Sequence, residues 1–242
     1  MISLKGHRII DLSVELISRV YRLDATVEDG TRDVYGMPWM VEESINEADS
    51  TIEHLIACNV GDPIWPIGGI SGHMGSHTQL GVGHNDNWSG LPEGMLGLWD
   101  LPVDAYYGEA AVCIFNDLKA EPILPKHLSN VREGDIVLMG SPHTGKDTPW
   151  LDGETAYWLA QEKKIKLLGV GVPGIGWETR ALDPEPDNCP THRAMTGNNI
   201  PIAYPFDNVH TLTRDRCFYM GLPLNVERME GTWIRAIAIE EV

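Results

Sequence analysis

Three short apolar runs constrain this chain most: residues 110–115 (AAVCIF), 135–139 (DIVLM) and 166–172 (KLLGVGV). Each is bounded by polar residues or glycine and is too short for a stable helix. A run apolar on both of its faces reads as a buried strand, so the first two belong in a central sheet, and the third is strand-like as well. Between the second and third, in residues 153–164, Ala156, Leu159 and Ala160 recur at helical spacing. The order strand, helix, strand is a β-α-β unit, which places neighbouring strands parallel and the fold in the α/β class. Residues 9–14, 52–60, 218–224 and 233–239 supply further strand candidates, the last alternating Ile234, Ala236 and Ala238 against Arg235, Ile237 and Ile239. Residues 19–50 have little periodicity and read as an irregular excursion, with Tyr21, Tyr35 and Trp39 placed to pack on the core or cap a pocket. With no repeat, low-complexity tract or linker, residues 1–242 are expected to form a single domain.

Charge narrows the classes of function. The 242 residues include 18 basic and 35 acidic side chains, a net charge of −17, which repels phosphate backbones and anionic membrane surfaces. Nucleic acid and membrane are therefore not expected partners, and a small molecule is. The four cysteines, Cys58, Cys113, Cys189 and Cys217, stand singly, without the Cys-x-x-Cys spacing of a structural zinc or redox site. No secretory h-region opens the sequence and no apolar stretch reaches the roughly 18 residues of a membrane span, so the expected location is the cytoplasm.

Chemistry concentrates in residues 72–84 (GHMGSHTQLGVGH). His73, His77 and His84, three of nine histidines, lie within twelve residues together with the amide of Gln79. Imidazole nitrogen suits Zn²⁺ or Mn²⁺, and a bound cation lowers the pKa of a coordinated water from 15.7 toward about 7. An i, i+4 histidine pair also arises on solvated helix surfaces. Here Gly72, Gly75, Gly81 and Gly83 disfavour a long helix, and a chelating loop or one-turn helix is expected instead. Hydrolysis needs a base for water and an acid for the leaving group, a role that suits His84 unless it is itself a ligand, whereas His192, in residues 190–193 (PTHR), reads on its own as an exposed histidine at an ordinary helix start. Trp65, Trp88 and Trp177 serve equally as core packing or as the lining of a site for a flat ring. Glu178 and Arg180 read as a surface ion pair near a strand end.

The segment from His73 to Gln79 resembles the start of the His-x-Gly-Thr-His-x-Asp-x-Pro-x-His signature of the cyclase family, which includes bacterial kynurenine formamidase, isatin hydrolase and trans-dienelactone hydrolase. The resemblance extends to residues 11–13 (DLS), 134–138 (GDIVL), 158–169 (WLAQEKKIKLLG), 222–224 (LPL) and 234–238 (IRAIA). It implies a swivelling β/β/α domain with a mixed central sheet, a homodimer or larger homo-oligomer, and a metal-dependent hydrolase. Departures are specific. Gln79 stands at the signature's Asp, Gly81 at its Pro and Gly83 at its last His, with His84 one residue beyond. His192 matches a family histidine, which the resemblance makes a catalytic candidate for proton transfer beside His84, but Tyr204 replaces the Glu twelve residues after it and would face the substrate.

With both carboxylates replaced, the resemblance implies one cation, held by His73, His77 and Gln79, rather than two. Three neutral ligands leave its charge uncompensated and favour an anionic substrate. The expected reaction is opening of a lactone or an isatin-like cyclic amide. The alternatives are arylformamide hydrolysis, a non-hydrolytic cyclase or lyase, and a small-molecule binding protein on the same fold.

Overall fold

A computed structural model of the chain describes residues 5–14, 75–81, 94–172, 174–177, 190–226 and 231–242. Contacts divide the chain into one unit made of Met1–Val14 and Ser76–Val242 and a second made of Glu15–Gly75. The elements below belong to the first, and the strand expected at residues 52–60 lies outside the described residues.

The three apolar runs become β3 (Tyr107–Ile114), β5 (Ile136–Gly140) and β7 (Leu167–Gly171), mutually parallel and adjacent. β9 (Ile202–Phe206) continues the parallel series beside β7. Antiparallel strands flank this centre: β1 (His7–Asp11), β10 (Arg216–Met220) and β12 (Ile237–Glu241) on the β3 side, and β2 (His77–Gln79) and β11 (Gly231–Trp233) on the β9 side. The strand order is β1-β12-β10-β3-β5-β7-β9-β2-β11. A second, three-stranded parallel sheet joins β4 (Pro122–Ile123), β6 (Trp150–Leu151) and β8 (Gly176–Trp177). Two α-helices, α1 (Gly153–Gln161) and α2 (Pro190–Thr196), complete a mixed, strand-dominated α/β architecture among the described residues. Asp152 starts α1 by accepting a hydrogen bond from Thr155 N–H at 2.8 Å.

Side-chain alternation gives the large sheet two buried faces. On one, Val137, Met139, Leu168, Val170 and Ile202 pack under Ala156, Leu159 and Ala160 of α1 and Ala194 and Met195 of α2. On the other, Ile136, Leu138, Leu167, Ala203 and Phe206 pack with Leu12, Tyr219, Ala236 and Ala238. The residues after β1 tie one end of the strand order to the other. Leu12 donates to Ala236 O at 2.9 Å and accepts from Asp207 N–H at 2.8 Å, and Val14 N–H donates to Ser76 Oγ at 2.9 Å.

The strand expected at residues 233–239 is split. Trp233 ends β11, which pairs with β2 at one edge, while Ile237 opens β12, which pairs with β10 and β1 near the other. Ile234, Ala236 and Ala238 are buried as the alternation required, but the backbone crosses between two sets of partners. Glu240 then anchors this end: its buried carboxylate accepts from Arg8, from Thr213 N–H and Oγ1, and from Arg214 N–H. On β10, Arg216 grips Asp135 with two hydrogen bonds of 2.6 and 2.7 Å, fixing the start of β5.

Candidate active site

Within the histidine-rich segment the described residues His77–Gln79 form a sheet strand where a chelating loop or one-turn helix was expected, while residues 72–74 and 82–84 lie outside the described residues. Gly75 turns the chain with φ +64°, a left-handed conformation that favours glycine. β2 then runs antiparallel to β9 on one side and to β11 on the other, pairing His77 with Tyr204 and Trp233, and Gln79 with Ile202 and Gly231. Two-sided backbone pairing outweighs any local helical preference over so few residues. Period-two alternation puts His77 and Gln79 on one face and Thr78 on the other. Ile202 marks their face as the helix-covered one, whereas Ala203, paired with Thr78, belongs to the opposite core.

On that helix-covered face the described candidates meet. The His77 ring lies 4.6 Å from the Tyr204 ring, centroid to centroid, at a tilt of 56°. His192, on α2, reaches the same tyrosine from above at 6.5 Å, edge-on at 75°. His77 and His192 are both buried, and Tyr204 is half-buried. His192 is thus not the exposed histidine that an ordinary helix start would give, because α2 packs Ala194 and Met195 against the sheet.

Gln79 is completely buried, and neither its Oε1 nor its Nε2 finds a hydrogen-bond partner among the described residues. An amide buried in this state costs roughly 1–3 kcal/mol per unsatisfied group, so native structures rarely keep one without a use. Gly231, opposite on β11, adds no side chain over it. An imidazole and an amide oxygen, two residues apart on one strand face, are donors that fit a divalent cation. Both are neutral, and Tyr204 stands beside them where a carboxylate would have added charge. Among the described residues no group of three or more His, Cys, Asp or Glu side chains converges.

Ser76 was not singled out from sequence, yet it holds this arrangement in place. Its buried hydroxyl donates to Pro205 O at 2.6 Å and accepts from Val14 N–H, while its carbonyl accepts from Ile234 N–H at 3.0 Å. The residue next to His77 is thereby joined to β9, to the chain after β1 and to the chain after β11. The available signal was a small hydroxyl residue between a turn glycine and a candidate ligand.

Trp177 lies on β8, where its backbone partner is Leu151 of β6, and it is β6 that touches the helix carrying His192, the Leu151 carbonyl accepting from Thr191 Oγ1 at 3.4 Å. His73, His84, Trp65, Trp88, Glu178 and Arg180 lie outside the described residues. Cys113 and Cys217 are buried, and burial pushes both thiols up to about 12, which removes them as nucleophiles. No helix among the described residues is long and apolar enough to cross a membrane.

No family model matches this sequence, and no curated protein matches it. Solved structures do. Isatin hydrolase A from Labrenzia aggregata, bound to benzyl benzoate, superimposes with a TM-score of 0.63 at 16% identity, covering 98% of this chain and 95% of that one. A potential metal-dependent hydrolase with cyclase activity gives 0.59 at 14% identity, covering 98% and 100%. A structure described as a novel cyclase gives 0.57 at 11%, covering 96% and 88%. Identity this low speaks to the fold alone, and the chain shares the fold of these structures.

Proposed function

We propose that the protein is a divergent cyclase-family hydrolase that opens a small cyclic ester or cyclic amide, with one Zn²⁺ or Mn²⁺ ion held by His77 and Gln79 together with His73, four residues earlier in the sequence. The observation that carries this reading is the convergence of His77, Gln79, Tyr204 and His192 on one buried sheet face in a fold shared with metal-dependent hydrolases. The same reading carries the swivelling β/β/α arrangement of the family. When bound, the cation supplies a Lewis acid for the carbonyl and a more acidic water.

The chain's own residues do the rest. Tyr204, packed against both imidazoles, orients them and offers an aromatic wall to a flat ring. His192 takes a proton from water and returns it to the leaving oxygen or nitrogen, with His84 as its partner in that exchange. The buried surroundings exclude bulk water and strengthen each of these contacts. Neutral ligands around a dication favour a substrate that carries its own negative charge.

The test is hydrolysis of a panel of lactones, cyclic imides, isatins and N-formyl anilines before and after chelation. Activity abolished by EDTA and restored by Zn²⁺ or Mn²⁺, with lactones or isatins preferred, is the expected result. Hydrolysis indifferent to chelation would refute it, and preference for the formyl anilines would transfer the assignment to arylformamide cleavage. The absence of a carboxylate from the described part of the site supports one second reading, a small-molecule binding protein on the same fold. That reading predicts ligand affinity with no turnover.

A further inference from the structure

We infer that Gln79 is a specificity-determining residue as well as a metal donor: its side-chain N–H₂ receives an anionic oxygen of the ligand, so that the site selects small aromatic carboxylates. This rests on the proposed metal site for the role of Oε1, but the argument about Nε2 starts from the amide itself. A glutamine side chain has two N–H donors and one acceptor oxygen. In this chain both ends are buried and neither is satisfied among the described residues. A cation answers only the oxygen. Nitrogen of an uncharged amide does not ligate a cation, so the two N–H groups stay unsatisfied until an acceptor arrives.

That acceptor comes from the ligand. Ile202 on the neighbouring strand and Gly231 on the other give no side-chain acceptor, and no described residue accepts a hydrogen bond from Gln79 Nε2. A carboxylate at this position would present acceptors alone and would repel an anionic oxygen. An amide of the same length reverses that polarity. The nearby rings of His77, Tyr204 and His192 supply flat apolar surface beside the donor, which suits an aromatic ring bearing the anion.

The chain has only two glutamines, Gln79 and Gln161, and Gln161 is exposed. Selective ¹⁵N labelling of glutamine side chains therefore gives two N–H₂ signals, and benzoate is the probe. Added to the metal-loaded protein, and separately to the EDTA-treated protein, benzoate should shift the buried pair and leave that of Gln161 in place. By calorimetry, Gln79→Glu should bind benzoate at least tenfold more weakly than wild type and Zn²⁺ at least as tightly. Gln79→Met, which keeps the length and removes both charge and hydrogen bonding, should lose affinity for benzoate and for Zn²⁺ alike. No benzoate binding to the wild type, an unmoved Gln79 signal, or benzoate affinity within twofold of wild type in both variants would overturn the inference. Failure of Zn²⁺ to bind with the benzoate shift intact in the EDTA-treated protein would instead overturn the metal reading alone.

Discussion

Replacing Ser76 by alanine tests whether the hydroxyl beside His77 fixes the site strand. The change removes a single oxygen that donates to Pro205 O at 2.6 Å and accepts from Val14 N–H at 2.9 Å. Pro205 is buried, so its carbonyl loses a partner that water does not replace, a cost of roughly 1–3 kcal/mol. Val14 is half-buried and its N–H is partly rehydrated, which leaves about 1 kcal/mol for that bond. Together the loss is about 2–4 kcal/mol, and for a chain of this size that lowers Tm by roughly 4–16 °C. Ser76→Thr keeps the oxygen and should recover most of the difference. Thermal and urea denaturation give the stability, and calorimetric titration with Zn²⁺ gives a second readout, because β2 freed from β9 holds His77 less firmly. Weakened Zn²⁺ binding in Ser76→Ala, restored in Ser76→Thr, separates positioning from general destabilisation. A Tm within about 1 °C of wild type, against the 4–16 °C expected from those two bonds, would show that the backbone pairing of β2 suffices without the hydroxyl.

Other consequences are equally direct. Burial opposes ionisation of Glu240, but hydrogen bonds from Thr213, Arg8 and Arg214 outweigh it and hold its pKa below the ordinary 4.5. A carboxylate depressed on folding adds stability above its unfolded pKa and loses it as pH falls through the folded one, so acid denaturation should steepen below pH 4.5. Glu240→Gln should be less stable at neutral pH and flatter in acid; equal pH profiles would remove Glu240 from the account. The Tyr219 hydroxyl is buried without a hydrogen-bond partner among the described residues, and Tyr219→Phe should leave Tm unchanged or raise it. In Gly221→Ala the new Cβ would stand 2.1 Å from the Tyr219 hydroxyl, so Tm should fall, and the double variant with Tyr219→Phe should recover part of the loss, which two melting curves decide. Mass spectrometry of the purified metal-loaded protein should find one metal ion per chain, and two at full occupancy would contradict the neutral ligand set. His192→Ala should lower kcat by about 10²-fold or more while metal content stays at wild type, and kcat within a factor of about three would move proton transfer elsewhere.

Legibility in the sequence followed the range of the interactions that decide each element. Residues 110–115 and 135–139 read correctly as central strands, and 166–172 as a strand, because burial on both faces leaves its mark residue by residue, and α1 before the last of them carried its own period. The site strand left no such mark. Over His77–Gln79 two polar side chains point into a core, and the strand exists because β9 and β11, far away in sequence, offer it hydrogen bonds on both edges. Trp233 and Ile237 were likewise read as one strand because alternation is blind to which neighbours a backbone finds. Over His77–Gln79 the expected chelating loop or one-turn helix is instead a strand, and that difference matters for chemistry. In a loop or one-turn helix, Gln79 is a polar residue near a histidine, free to rotate into water. On a strand between β9 and β11 its amide is locked into the same buried face as His77, with an acceptor oxygen at one end and two N–H donors at the other that nothing described in the chain satisfies. A position that the family resemblance marks only as a lost carboxylate thus becomes, once its strand is known, a gain of hydrogen-bond donors on a buried sheet face.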